Sequence, residues 1–373
     1  MKKTIYNYFF IEFIRYFTIT LFAIAIIVWT IQAVNFLDLV TEDGHAFAVY
    51  FYYSSLTLSK VLTKLIPFCF LVATVLTINK LEKDNELITL WTSGLNKIHV
   101  VNFIFKVSII IMILQLFLTI FINPYLLNHS RFLLKNSELQ FIPSLLKERQ
   151  FNDTIDGLTI FVDKKEEDQT FKNIFIRDDG EILSKIGTNS STIFAKSGKI
   201  SDDEKSLILY DGNIQKLEKN DNVSVVKFKK TIFNLSGIAT KSISQPKMQE
   251  TSTMQIINCI MKIEKVHNCD QSKKSQMDTK IEINKRFGMP IYIPLISLAC
   301  CFLLASRKDQ KMFHYNKYIY FFVGFVILAF AEIIVRYSGL SWTNTIFYYC
   351  IPLLLIPLFY LALLRTFKYE NLS

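Results

Sequence analysis

The stretch SSLTLSKVLTKLIPFCFLVATVLTINK, residues 54–80, has the length and apolarity of a membrane-crossing helix, yet it carries Lys60 and Lys64. A helix rises about 1.5 Å per residue, so roughly 20 apolar residues cross about 30 Å of hydrocarbon. The two lysines are four positions apart and leave the same face. A lysine at the bilayer centre costs roughly 2.5–3.5 kcal/mol on insertion scales. A span that keeps two of them needs a wet environment for that face.

Working outward, the same apolar signature recurs. Of 373 residues, 51% are hydrophobic and 14% aromatic, too apolar for an ordinary soluble protein. The quoted stretch belongs to a span of about 51–78, and five further spans read as 16–37, 107–128, 287–306, 318–335 and 337–364. Glu332 and Arg336 blur the boundary between the last two.

Basic residues set the orientation, because Lys and Arg in short loops resist translocation. With the N-terminus inside, the inner segments hold Lys2, Lys3 and Arg15, then Lys80, Lys83, Lys97 and Lys106, then Arg307, Lys308, Lys311 and Lys317, and finally Arg365 and Lys368. The short outer loops, 38–50 and 336–341, hold Arg336 alone. Both termini are therefore expected in the cytoplasm. The net charge of +10 reports this topology and not nucleic-acid binding. The first apolar run is too long for a cleaved signal peptide, and no small-residue cleavage site follows it. Cys69, Cys300, Cys301 and Cys350 fall inside spans as packing residues. Cys259 and Cys269 lie outside, and a helix through both would hold them about 15 Å apart, which argues against a disulfide. No zinc-type spacing occurs.

Between the third and fourth spans, residues 129–285, the period changes. Strand-like runs at 158–162, 171–176, 191–195, 206–217 and 223–235 alternate with the turn signals RDDGE, YDGN and KNDN. This predicts an all-β sandwich or jellyroll on the outer side, inserted between helices 3 and 4. MQETSTMQIINCIMKIEKVHN (248–268) then has helical periodicity, and the polar CDQSKKSQMDTK leads into span four. The domain plan is 1–128 for helices 1–3, 129–250 for the β domain, 251–285 for a helical linker and 286–373 for helices 4–6.

The inner loop NKLEKDNELITLWTSGLNKIH (79–99) predicts a short helix, within about 80–97, capped by Asp84 or Asn85 and terminated by Gly94. Its apolar residues Leu87, Ile88, Leu90 and Trp91 fall mostly on one side. Two readings stand: the Trp-bearing face docks into a partner's groove, or the helix rests on lipid headgroups. No phosphate-binding G-x-x-x-x-G-K-[ST] loop occurs, since KSGKIS (196–201) lacks the first glycine, so ATP use must come from another chain. A lipid-modifying enzyme using Glu332, Arg336 or His45 has no nucleophile and base at a defensible spacing, and His267 reads as a solvated helix residue. A sensory protein would need a cytoplasmic output domain, for which the inner loops are too short. No catalytic residue, metal ligand or cofactor is expected.

Three spans, an outer β insert and three more spans, with NELITLWTSGLNK (85–97) after span two and EINKRFGMPIYIPL (282–295) opening span four, resemble the LptF/LptG permease family of the lipopolysaccharide exporter. RQFNDTIDGLTIFV (149–162) followed by FKNIFI (171–176) looks like the start of that family's β-jellyroll. The resemblance covers nearly the whole chain and is closer to the LptF half, through Glu282, Arg286 and Pro290. It implies a bacterial inner-membrane permease subunit, paired with an LptG-like second subunit and driven by an LptB ATPase dimer. It also implies that Glu86, Leu87, Leu90, Trp91 and Gly94 form the coupling helix that meets the ATPase. Lipopolysaccharide would enter a cavity between the two halves and leave through the periplasmic β domain to LptC and LptA. An energy source is needed, because each buried CH₂ is worth about 0.8 kcal/mol and a fourteen-carbon chain roughly 10 kcal/mol.

On this resemblance Lys60 and Lys64 lie in the outer half of span two, where a cationic pair lining a wet cavity meets lipid phosphates. The alternative is snorkelling to the outer headgroups. Glu282 and Arg286, four apart, pair and cap span four, or else gate the lateral entrance together with Pro290. Ile160, Phe161, Phe175, Ile193 and Leu209 are expected either to line a lipid channel or to form an ordinary β core.

Overall fold

The computed structural model describes residues 2–41, 47–136, 148–155, 157–166, 170–179, 190–201, 206–217, 223–234, 247–261, 273–305 and 313–370. Six helical stretches are long and apolar enough to cross a membrane: Thr4–Val40, Phe47–Lys83, Lys97–Leu134, Lys273–Ala305, Lys317–Ser338 and Trp342–Lys368. The helices are α1 (Lys2–Asn35), α2 (Asp38–Thr41), α3 (Phe47–Lys83), α4 (Glu86–Thr92), α5 (Lys97–Phe117), α6 (Asn123–Asn136), α7 (Thr253–Ile260), α8 (Lys273–Cys301), α9 (Phe313–Ser338) and α10 (Trp342–Glu370). A π-helical segment, Leu118–Ile122, joins α5 to α6 inside the third span. A helix satisfies its backbone groups within its own ladder, which is the condition for crossing hydrocarbon.

The chain falls into two compact units. The first comprises Met1–Thr30, Thr57–Asn128 and Lys247–Ser373. Its centre is formed by the second and fourth spans, whose apolar windows are 67% and 78% buried, against 11–22% for the other four. Ile66, Phe70 and Leu71 of α3 pack with Tyr292, Ile293 and Leu295 of α8 in one continuous core. Gly288 lets α8 approach α10 closely: a Cβ there would lie 2.1 Å from the Tyr348 ring. The other spans keep wide apolar faces open, such as Ile19, Phe22 and Ile26 of α1, which suits lipid or a second membrane subunit.

The second unit comprises Ile31–Leu56 and His129–Pro246. Its helical part packs Leu39 and Leu134 with Phe36, Val49 and Tyr53. Its sheet has six antiparallel strands in sequential order: β1 (Phe151–Ile155), β2 (Leu158–Lys165), β3 (Thr170–Asp178), β4 (Ser190–Ile200), β5 (Ser206–Leu217) and β6 (Val223–Asn234). This differs from the expected sandwich or jellyroll: among the described residues it is one meander, in which each strand pairs with its sequence neighbours. YDGN (210–213), read as a hairpin corner, lies inside β5. Asp211 takes a left-handed φ of 48°, and pairing continues on both sides through Ala195↔Gly212 and Ser197↔Tyr210. KNDN (219–222) and the Gly180-Glu181 end of RDDGE lie outside the described residues.

Strand alternation divides the five expected channel residues. Ile160, Ile193 and Leu209 are buried together on one face. Phe161 and Phe175 lie on the opposite face, in a cross-strand row that runs Phe151, Phe161, Phe175, Phe194 by direct register. The five therefore cannot line one surface.

Two further expectations are corrected. α8 begins at Lys273, so Glu282 and Arg286 sit well inside a helix and do not cap its start. Cys259 is disulfide-bonded; α7 ends at Ile260, so the single helix assumed to separate it from Cys269 is not continued there. Cys269, like His45 and His267, lies outside the described residues.

Candidate functional site

A cavity of about 370 Å³ lies within the first unit, among spans two to five. Its walls are apolar, from Phe68, Met289, Phe325 and Leu328, and its charges are few. Lys60 and Lys64 enter from α3, Glu282, Lys285 and Arg286 from α8, and Glu332 from α9. Both acids already have partners. Lys285 Nζ lies 2.9 Å from Glu332 Oε1, and Arg286 Nε donates to Glu282 Oε1 at 3.0 Å. Lys60 and Lys64 have no ion-pair partner among the described residues, so the cavity carries two uncompensated cations on one helix face.

The rotation of α3 that aims these lysines is fixed one residue earlier in each turn. Ser59 donates to Asn123 Oδ1, Asn123 Nδ2 donates to Thr63 Oγ1 at 2.6 Å, and Gln115 Nε2 donates to the Thr63 carbonyl at 3.1 Å. Ser59 and Thr63 thus hold the third span, while Lys60 and Lys64 on the adjoining strip look into the cavity. Gln115, Thr119 and Asn123 recur every fourth residue in an otherwise apolar span. That polar stripe is legible in the sequence as an i, i+4, i+8 spacing.

Arg286 is only 4% exposed and acts as a clamp. Besides Glu282 it donates through Nη1 to Thr253 Oγ1 (2.8 Å) and through Nη2 to the carbonyls of Met248 (3.3 Å), Gln249 (3.2 Å) and Thr251 (3.1 Å). It fastens the segment before α7 to α8. Thr253 continues the chain of contacts by donating to the Ile120 carbonyl in the π-helical segment at 2.7 Å. Pro290 is buried in α8, one turn beyond Arg286.

At the other end of the spans, α4 contains Glu86, Leu87, Leu90 and Trp91, with Gly94 just beyond it at φ 85°. The Gly94 N–H meets the Trp91 carbonyl (3.1 Å) and the Leu95 N–H the Leu90 carbonyl (3.2 Å), the paired bonds of a glycine-terminated helix. Asn85 occupies the N-cap position, but in a left-handed conformation (φ 61°) and without a side-chain cap bond. The apolar side of α4 faces inward: Leu87 is 4% exposed, and Leu90 and Trp91 pack on the same core. Lys97 Nζ lies 5.8 Å from the Trp91 ring and 5.7 Å from Phe367 of α10. Ile88 is 47% exposed and stands on the outer side. Glu86 accepts a hydrogen bond from Tyr8 of α1 at 2.9 Å, and four residues on in α1 Glu12 pairs with Lys80 at 2.8 Å. The α3–α4 corner is thereby gripped on both sides by the first helix, a partnership that no local sequence pattern announces.

Glu332 and Arg336, considered above for an enzyme, are not brought together as an acid–base pair: Glu332 is held by Lys285, and Arg336 is exposed in the last turn of α9.

A family model described as lipopolysaccharide export system permease LptF/LptG matches residues 7–366. The uncharacterized protein RP871 of Rickettsia prowazekii (strain Madrid E) is 25% identical over 298 residues, which span 79% of this chain and 80% of that protein. The family match takes in all six apolar spans, the sheet and the charged cavity, and the chain belongs to the LptF/LptG family of lipopolysaccharide export system permeases.

Proposed function

We propose that this chain is the LptF-type half of an ATP-driven lipopolysaccharide exporter in the inner membrane. It pairs with an LptG-like subunit across the open faces of its spans. Both termini and α4 lie in the cytoplasm, and the β domain, inserted between the third and fourth spans, lies in the periplasm. The chain itself carries no ATPase site. The LptB dimer docks on α4, and lipid leaves through the β domain to LptC and LptA.

The observation that carries this reading is the pair of uncompensated lysines in an otherwise charge-balanced, apolar-walled cavity. A phosphate-bearing lipid supplies the missing anions, and its acyl chains match the walls. Because Leu87, Leu90 and Trp91 anchor α4 from behind, the ATPase meets its other side, around Glu86, Ile88 and Gly94. The Arg286–Glu282 pair serves as a structural clamp.

The test is photo-crosslinking from Phe68, on the cavity wall, in the assembled complex. Lipopolysaccharide should be captured, and Lys60→Ala/Lys64→Ala should lower capture by roughly tenfold or more, the loss of charge-assisted contacts, while the ATPase still co-purifies. Capture that is unchanged in the double variant would mean the lysines reach the headgroup layer and hold no ligand.

A further inference from the structure

A proline inside a helix has no N–H for the carbonyl four residues earlier, and in a membrane that carbonyl has no water to turn to. Four of the six prolines within the spans, Pro67, Pro124, Pro290 and Pro352, leave the carbonyls of Thr63, Ile120, Arg286 and Tyr348 open in this way. Each of these carbonyls accepts a side chain from a different segment. Gln115 Nε2 meets Thr63 at 3.1 Å, Thr253 Oγ1 meets Ile120 at 2.7 Å, Thr119 Oγ1 meets Arg286 at 3.1 Å, and the Tyr292 hydroxyl meets Tyr348 at 2.9 Å. Thr119 shares its single proton with its own helix, where the Gln115 and Leu116 carbonyls lie at 3.0 and 3.1 Å. Two of the four contacts, Gln115 to Thr63 and Thr119 to Arg286, join residues that line the cavity. Pro67 and Pro124 line it, and the opened carbonyls of Thr63 and Arg286 sit beside Lys64 and on Arg286 itself.

We infer that Gln115, Thr119 and Thr253 are positioning residues of the transport cavity, each latching a break that a proline makes in a neighbouring span. The backbone at these breaks is held by one side chain, where an ordinary turn is held by its own ladder. A single side-chain bond can be exchanged without unwinding a helix, so Pro67 and Pro290 are the points at which the cation-bearing turns of α3 and α8 can pivot. Gln115 and Thr119, one turn apart on the third span, hold both pivots from one face. This deepens the proposed lipid site and rests on it for the transport readout, but the bonding claim stands apart.

The experiment crosses the latch with its proline in the full chain. Gln115→Met should lower the folding equilibrium constant roughly five- to tenfold, because it orphans the Thr63 carbonyl. Pro67→Ala restores a backbone N–H to that carbonyl, so in its background Gln115→Met should lower the constant by less than about twofold. The Pro290→Ala and Thr119→Val pair should behave alike, with Thr119→Ser keeping parental behaviour. In the reconstituted complex, lipid released per ATP should fall in Gln115→Met and stay low after Pro67→Ala is added, because the break itself is gone. A Gln115→Met loss that is equal in both backgrounds would overturn the latch. Lipid release left intact by Pro67→Ala would overturn the pivot. If the parent complex captures no lipid at all, the functional reading fails while the folding cycle still decides the bonding.

Discussion

Arg286 offers the sharpest perturbation of the cavity. Its guanidinium is nearly fully buried and reaches one carboxylate, one hydroxyl and three carbonyls. Arg286→Ala leaves Glu282, whose side chain is 15% exposed, as an unpaired buried acid and strips the donor from the turn at Met248–Thr251. Breaking one side of a buried pair costs about 3–5 kcal/mol, and the orphaned carbonyls keep the value toward the upper end. Arg286→Lys keeps the charge but cannot match the fork, so a loss of about 1–2 kcal/mol is expected. Glu282→Leu/Arg286→Met removes both charges and should recover about 2 kcal/mol relative to Arg286→Ala, since an apolar replacement removes the desolvation burden. Reversible unfolding of the full chain in mixed micelles measures all three. If Arg286→Ala unfolds within about 1 kcal/mol of the parent while lipid capture collapses, the residue is a gate at the lateral entrance and the clamp is refuted.

Other expectations follow from α4 and the sheet. Glu86→Lys should release the ATPase in a pull-down of the complex, and Ile88→Ala should weaken capture with unfolding changed by less than about 0.5 kcal/mol. Trp91→Ala should instead destabilise the chain by about 2 kcal/mol, because that ring packs inward; equal unfolding of parent and variant would place it in the docking face after all. At Gly94 a Cβ meets nothing within 4 Å, so Gly94→Ala should cost about 1–2 kcal/mol from its left-handed φ alone, readable in the same titration. In the β domain, the hydrogen bond and charge of Lys172 hold Glu166 below the usual carboxylate range. A depressed pKa stabilises the folded state above the unfolded value and loses that contribution as pH falls through the folded one. Glu166→Gln should therefore be slightly less stable than the parent at neutral pH and equal to it in acid or in about 1 M salt, given the exposure of both partners. A difference that grows on acidification would reverse the sign.

Much of the architecture was legible because its causes are local. Six spans follow from the length of helix needed to cross hydrocarbon, and five of the six strands follow from alternation. β1 escaped because its five residues, FNDTI, carry three polar side chains and owe their conformation to pairing with β2. YDGN misled because a strand can absorb one left-handed residue when its neighbours keep their partners. Lys60 and Lys64 stand out in the sequence through the improbability of their position, and both line the cavity. The inward packing of Trp91 is not legible, because an amphipathic helix has two sides, and its sequence does not say whether the apolar one meets its own core or a partner.

By itself the amino-acid sequence determined the number of spans, their expected orientation, the presence of a β domain and the spacing that puts two cations on one face. These depend on hydropathy, charge and period, which act over a few turns of chain. Only the tertiary structure decided that Glu282 and Glu332 pair with Arg286 and Lys285, leaving the α3 lysines without an ion-pair partner among the described residues, and that side chains from other segments close the carbonyls opened by four prolines. Those outcomes join residues tens to hundreds of positions apart, and which partners meet depends on how the helices pack and rotate against one another.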